Sequence, residues 1–140
     1  MFGPHLTIDI YGCDEGALSS PECIREMLNE MPEMLGMHKI SEPSILPYSG
    51  KEGSFDKGGV SAFVIIAESH ISIHTFVYQK YASVDIFSCK EFDVEKAVKY
   101  VTGKFKAKKA ERNFIMRGRE FPKEVSKAKV IVRNQRHSLY

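Results

Sequence analysis

The chain has 140 residues, 43% of them hydrophobic and 27% charged, which fits one globular domain and excludes a disordered tail, a fibre or a rod. Twenty basic and eighteen acidic side chains leave a net charge of +2, too balanced for a nucleic-acid module that works by bulk charge. No apolar run is long enough to span a membrane, and the opening Met1-Phe2-Gly3-Pro4-His5 lacks the basic-then-apolar pattern of a secretion signal. A cytosolic setting is therefore expected.

Leu6, Ile8 and Ile10 alternate with Thr7, Asp9 and Tyr11, which predicts a first strand over residues 5–11 with one buried face. Gly12-Cys13-Asp14 turns the chain. A helix is expected next, capped by Ser19 with Glu22 as reciprocal partner and Pro21 in the first turn. Its apolar face is Ile24, Met27, Leu28, Met31 and Leu35; Pro32 should kink or end it, and Gly36 should stop it. Residues 42–59 read as a loop with at most one short strand. A central strand is predicted over residues 60–67, a second from about Ile71 to Val77 and a third over 81–87. Asp93 caps a second long helix with Val94, Ala97, Val98, Val101 and Phe105 on its buried face. Lys104, Lys106, Lys108 and Lys109 read as a solvated helix end. Further strands are expected over residues 112–116 and 128–132, and the polar tail 133–140 is expected to fray.

This order predicts an α+β fold: a two-layer sandwich of a largely antiparallel sheet with both helices on one face. The whole chain, 1–140, is one domain. The uncovered sheet face calls for a second copy, giving a dimer with four layers in the order αββα.

The three cysteines, Cys13, Cys23 and Cys89, lie far apart with no C-x-x-C pair, so neither a disulfide framework nor a metal site is expected. Chemistry concentrates instead in Glu68-Ser69-His70-Ile71-Ser72-Ile73-His74-Thr75, directly after the most apolar strand. Alternation places Ser69, Ile71 and Ile73 on one face and His70, Ser72 and His74 on the other; a bend at Ser69 would let Ser69 and His74 approach. The segment lacks the Gly-x-Ser-x-Gly elbow of a serine hydrolase. On residue types alone two readings stand side by side: hydrogen-bonded polar groups closing a strand, and a catalytic cluster.

The run from Val60 to Thr75 closely resembles the core of the small prokaryotic S-adenosylmethionine decarboxylase proenzymes, whose motif reads Ser-Gly-x-x-x-x-x-Glu-Ser-His-x-x-Ile-His-Thr. Gly3-Pro4-His5-Leu6, Tyr11-Gly12-Cys13-Asp14 and the stretch Tyr81 to Cys89 extend the resemblance over about residues 3–118. It implies self-cleavage between Glu68 and Ser69, giving a β chain of residues 1–68 and an α chain of 69–140 that begins with a pyruvoyl group made from Ser69. It further implies that His74 serves as a base in processing and Ser61 steadies the strained intermediate. A substrate amine would form a Schiff base with the pyruvoyl ketone, and Cys89 would return the proton after carbon dioxide leaves. Phe55 sits where the family places an aromatic ring that stacks on adenine. Tyr78 stands where the family carries a glutamate for the ribose hydroxyls, and a tyrosine cannot reproduce a carboxylate's paired acceptance.

The resemblance thus implies a pyruvoyl-dependent carboxy-lyase acting on S-adenosylmethionine, whose product feeds spermidine synthesis, and a homodimer of cleaved units. Two alternatives accompany it: a same-fold arginine or ornithine decarboxylase, motivated by Tyr78, and an uncut, non-catalytic partner of an active homologue. The presence of Glu68, Ser69, His74 and Cys89 counts against the latter.

Overall fold

A computed structural model of the chain describes residues 2–124. The elements run β1 (Gly3–Tyr11), α1 (Glu15–Leu18), α2 (Pro21–Met34), β2 (Ser44–Tyr48), β3 (Gly59–Ile66), β4 (Ser69–Phe76), β5 (Tyr81–Ser88), α3 (Val94–Lys104) and β6 (Lys109–Arg117). The strands form one antiparallel sheet in the order β2-β3-β4-β5-β1-β6.

The period-two pattern decides which side of the sheet is buried. Leu6, Ile8 and Ile10 of β1, Val64 and Ile66 of β3, Ile71 and Ile73 of β4, and Val84 and Ile86 of β5 form one cluster with Ile24, Met27, Leu28 and Met31 of α2 and Ala97 and Val101 of α3. Each fully buried large aliphatic side chain there contributes about 1.5–3 kcal/mol. Thr75 adds a polar tie inside this layer. Its hydroxyl donates to Leu18 O (2.7 Å) and accepts from Val60 N–H (2.8 Å), joining β4 to β3 and α1.

Several boundaries differ from expectation. Ser19 does not cap the long helix. Asp14 starts the short α1, Ser19 ends it, and Ser20 caps α2 by accepting from Cys23 N–H (3.1 Å). Pro32 lies inside α2, which closes two residues later, so the missing donor falls in the final turn where little remains to be broken. β4 begins at Ser69 rather than near Ile71, because Ala67 and Glu68 alone make the turn from β3. β6 spans more than 112–116 and is exposed apart from half-buried Met116. The strand expected at 128–132 and the tail 133–140 lie outside the described residues.

Asp93 caps α3 as expected, accepting from Lys96 N–H (3.0 Å). Lys104 pairs with Glu26 (3.3 Å) and Glu30 (3.6 Å) of α2, which ties the two long helices together. Among the described residues no helix is long and apolar enough to cross a membrane.

Among the described residues the other face of the sheet carries no helix. Its rows follow from strand register: His5–Phe87–His70–Ile65, then Thr7–Asp85–Ser72–Phe63, then Asp9–Ser83–His74–Ser61. Phe63 is 43% exposed and Ile65 38% exposed on this surface. His5 Nε2 is buried without a hydrogen-bond partner among the described residues, with Asp85 Oδ1 3.9 Å away, and burial lowers the imidazole's pKa.

Candidate active site

Three loops meet at one end of the sheet: the segment after α2, the β3–β4 turn and the exit from β5. Ser69 pairs with Ile66 on one side and Ser88 on the other. Its φ is 152°, a backbone conformation that normally requires glycine. The carbonyl of Glu68, the residue before it, accepts a hydrogen bond from Cys89 N–H (2.8 Å).

Cys89 is held in place by its neighbours. The buried Ser88 hydroxyl donates to Lys90 O (2.7 Å) and accepts from Lys90 N–H (3.0 Å), closing a tight turn around Cys89. Lys90 Nζ donates to Gly36 O (3.0 Å), joining that turn to the segment after α2. Gly3 completes the packing. A Cβ there would lie 2.0 Å from Ser88 O and 2.7 Å from Cys89 Cα, so no larger residue fits without moving that backbone.

The Glu68 side chain is almost buried and both its oxygens are engaged by His38, at 3.0 Å from the backbone N–H and 2.8 Å from ring Nδ1. Burial pushes the carboxyl's pKa up, but the two His38 hydrogen bonds, a hydrogen bond from Glu68's own backbone and the charge of the His38 ring together hold the group below its ordinary value. The sequence reading missed His38. Its partner lies thirty residues away, and no local pattern signals such a contact.

A second group of expected residues lies elsewhere. Ser61 Oγ and His74 Nδ1 are 3.0 Å apart, paired across β3 and β4 on the open face. The bend that would bring His74 back to Ser69 is absent, because β4 runs unbroken from Ser69 to Phe76. Five residue steps along the strand separate them, about 16 Å at roughly 3.3 Å per residue. One chain therefore brings Glu68, Ser69 and Cys89 together, and separately Ser61 and His74, but not the two groups.

Phe55 and Tyr78 lie beyond His74, at the end of the sheet away from Ser69. Phe55, in the loop between β2 and β3, is 79% exposed, and its carbonyl accepts from the Gln79 side-chain amide. Tyr78, in the β4–β5 turn, is 75% exposed. Val77 N–H donates to Gly58 O (3.1 Å), linking the two loops. Cys13 is buried, which raises its thiol pKa to about 11, and burial also raises Cys23, so both resist ionisation.

An antiparallel sheet backed by helices on one side places the chain among the α+β proteins, with a strained serine at a tight hairpin and a cysteine backbone against the preceding carbonyl as its candidate site. Comparison with known proteins narrows it. The sequence profile described as S-adenosylmethionine decarboxylase matches residues 4–118. An S-adenosylmethionine decarboxylase proenzyme of Pyrococcus furiosus is 40% identical over 119 residues, 84% of this chain and 80% of the relative. One from Clostridium botulinum is 37% identical over 118 residues, covering 84% and 95%. The crystal structure of the adenosylmethionine decarboxylase from Aquifex aeolicus superposes with a TM-score of 0.69 at 28% identity, covering 88% of this chain and 95% of that one. The chain belongs to the S-adenosylmethionine decarboxylase family.

Proposed function

We propose that this chain is a proenzyme that cuts itself between Glu68 and Ser69 and then decarboxylates S-adenosylmethionine through a pyruvoyl group formed from residue 69. The observation that carries the reading is the pairing of a strained Ser69 backbone (φ 152°) with a Glu68 carbonyl polarised by Cys89 N–H at 2.8 Å. Strain at the bond to be broken raises the ground state. A backbone donor on the carbonyl stabilises the oxyanion that forms when the Ser69 hydroxyl attacks.

In that attack Ser69 Oγ bonds to the Glu68 carbonyl carbon and the Glu68–Ser69 C–N bond breaks, leaving an ester and a free amine on residue 69. Loss of the residue-69 α-proton to a base then expels the Glu68 carboxylate. Hydrolysis of the resulting enamine releases ammonia and leaves the pyruvoyl group. These residues suit the group: the serine starts a strand and its carbonyl neighbour is fixed, so the new terminus stays anchored by β4. Once formed, the pyruvoyl supplies the electron sink for loss of carbon dioxide. Cys89, whose turn is locked by Ser88, is the proposed proton donor to the substrate carbon.

The base for the α-proton is His74, held by Ser61. Because one chain keeps them about 16 Å from Ser69 at the rise of a strand, a second copy must deliver them. Two copies facing through their open sheets, with strands reversed by the two-fold axis, bring the His74 end of one against the Ser69 end of the other. The same pairing carries the partner's exposed Phe55 and Tyr78 towards the cleavage end. The active form is then a homodimer of αββα layers, and its product feeds aminopropyl transfer to spermidine.

Tyr78 favours one further reading, a same-fold arginine or ornithine decarboxylase, since no carboxylate occupies that position to accept two ribose hydroxyls. Carbon dioxide release from carboxyl-labelled S-adenosylmethionine, arginine and ornithine separates them. Release from S-adenosylmethionine supports the main reading. Release from arginine or ornithine alone overturns its substrate.

A further inference from the structure

The residue before the proposed cleavage point is gripped by one side chain and one stretch of backbone, both from His38. His38 N–H donates to Glu68 Oε2 (3.0 Å), and His38 Nδ1 lies 2.8 Å from Oε1. The carbonyl of His38 accepts from Ala67 N–H (2.8 Å), so the Ala67–Glu68 turn is held at three points. The Glu68 side chain is 9% exposed while that of His38 is 75% exposed. The ring is therefore no part of the core, and its hydrogen bond to Glu68 is its principal engagement. The β3–β4 pairing already fixes the register of the hairpin up to Ile66 and Ser69. What that pairing leaves free is the tilt of the Glu68 peptide plane within the turn.

Cys89 N–H holds the Glu68 carbonyl from one side and His38 holds the Glu68 carboxylate from the other. We infer that His38 is a positioning residue for self-cleavage: by anchoring the Glu68 carboxylate it keeps the Glu68 carbonyl in the orientation that Ser69 Oγ attacks. This rests on the self-cleavage reading above. It also gives the buried carboxylate of Glu68 a purpose, because a turn residue needs no buried charge merely to reverse a chain. After cleavage Glu68 is the last residue of the β chain, and the same clamp keeps that end seated beside residue 69.

The test follows cleavage of freshly synthesised full-length chain over time, with decarboxylation measured per cleaved chain. His38→Ala is expected to slow cleavage by about ten- to a hundredfold, the range for a lost hydrogen bond to a charged group. His38→Asn, whose amide nitrogen replaces Nδ1, is expected to restore most of the rate. Decarboxylation per cleaved chain should stay close to the parent's in both. The double variant His38→Ala/Glu68→Gln should be no slower than the slower single variant, since both remove one contact. Parental cleavage in His38→Ala, equal slowing in His38→Ala and His38→Asn, or additive slowing in the double variant would each overturn the role. A parent chain that never cuts removes the self-cleavage reading and this inference together, whereas a parent that cuts beside an unaffected His38→Ala removes the inference alone.

Discussion

Cys89 has two separable parts. Its backbone N–H meets the Glu68 carbonyl and its thiol is the proposed proton donor. Replacing the side chain leaves the N–H in place, so Cys89→Ala should still cut while its decarboxylation falls about 10²- to 10⁴-fold, the usual loss for a missing general acid. Equal turnover in Cys89→Ala and the parent would remove the thiol from catalysis. Glu68 carries a pH signature in the uncut chain. Its folded pKa lies below the unfolded value, so its clamp contributes stability fully above the unfolded carboxylate pKa, about 4.3, and loses it as pH falls through the folded value. In a Ser69→Ala background, which cannot cut, Glu68→Gln should therefore lower the melting temperature at neutral pH and differ less from its parent in acid. A gap that widens in acid would reverse the sign. At this scale the sequence singles out Glu68, Ser69, His74 and Cys89 as candidates through their spacing within a resembling motif. His38 left no trace there, because its meaning is a contact made only once the segment after α2 crosses the hairpin.

Alternation was the legible part of the elements. β1 follows the period-two pattern of its sequence, β3 is the run of apolar, β-branched residues expected as a strand, and Asp93 marks the start of α3 as its chemistry requires. The misplaced features are those decided by single hydrogen bonds. Ser19 and Ser20 are equally good caps on paper, and the extra turn of α1, fixed by Asp14, hands the role to Ser20. β4 starts ahead of Ile71 because a two-residue turn at Ala67-Glu68 reverses the chain without the glycine that such hairpins favour; the cost appears instead as positive φ at Ser69. Thr75 shows how side-chain hydroxyls join elements. Thr75→Val keeps the shape but removes the partner that Val60 N–H and Leu18 O find in the Thr75 hydroxyl, which should cost about 2–6 kcal/mol at 1–3 kcal/mol for each group. Urea denaturation measures it, and an unchanged midpoint would show that neither group depends on Thr75.

For the whole molecule, the proposed second copy accounts together for the sheet face left uncovered among the described residues and for the split between the Ser69 and His74 groups. The strand geometry is available from sequence alone, since five residue steps along an unbroken strand span about 16 Å; the alternation of Ser69 and His74 holds, and the bend that would join them does not occur. Mixing two inactive chains tests the pairing. Ser69→Ala retains His74, and His74→Ala retains Ser69, so each alone should remain uncut. Refolded together they should cut the His74→Ala chain in mixed dimers, up to about half of it for random pairing of equal amounts. No cutting in the mixture, with mixed dimers shown to form, would return the base to the same chain and demand a rearrangement of β4.

The most direct measurement is the intact mass of the purified parent beside Ser69→Ala. Self-cleavage predicts two fragments in the parent, residues 1–68 and 69–140, the second lacking a free α-amine and resisting Edman degradation, and one full-length chain in Ser69→Ala. A parent that stays a single chain of 140 residues after prolonged incubation, or a fragment beginning with an ordinary serine, would contradict it.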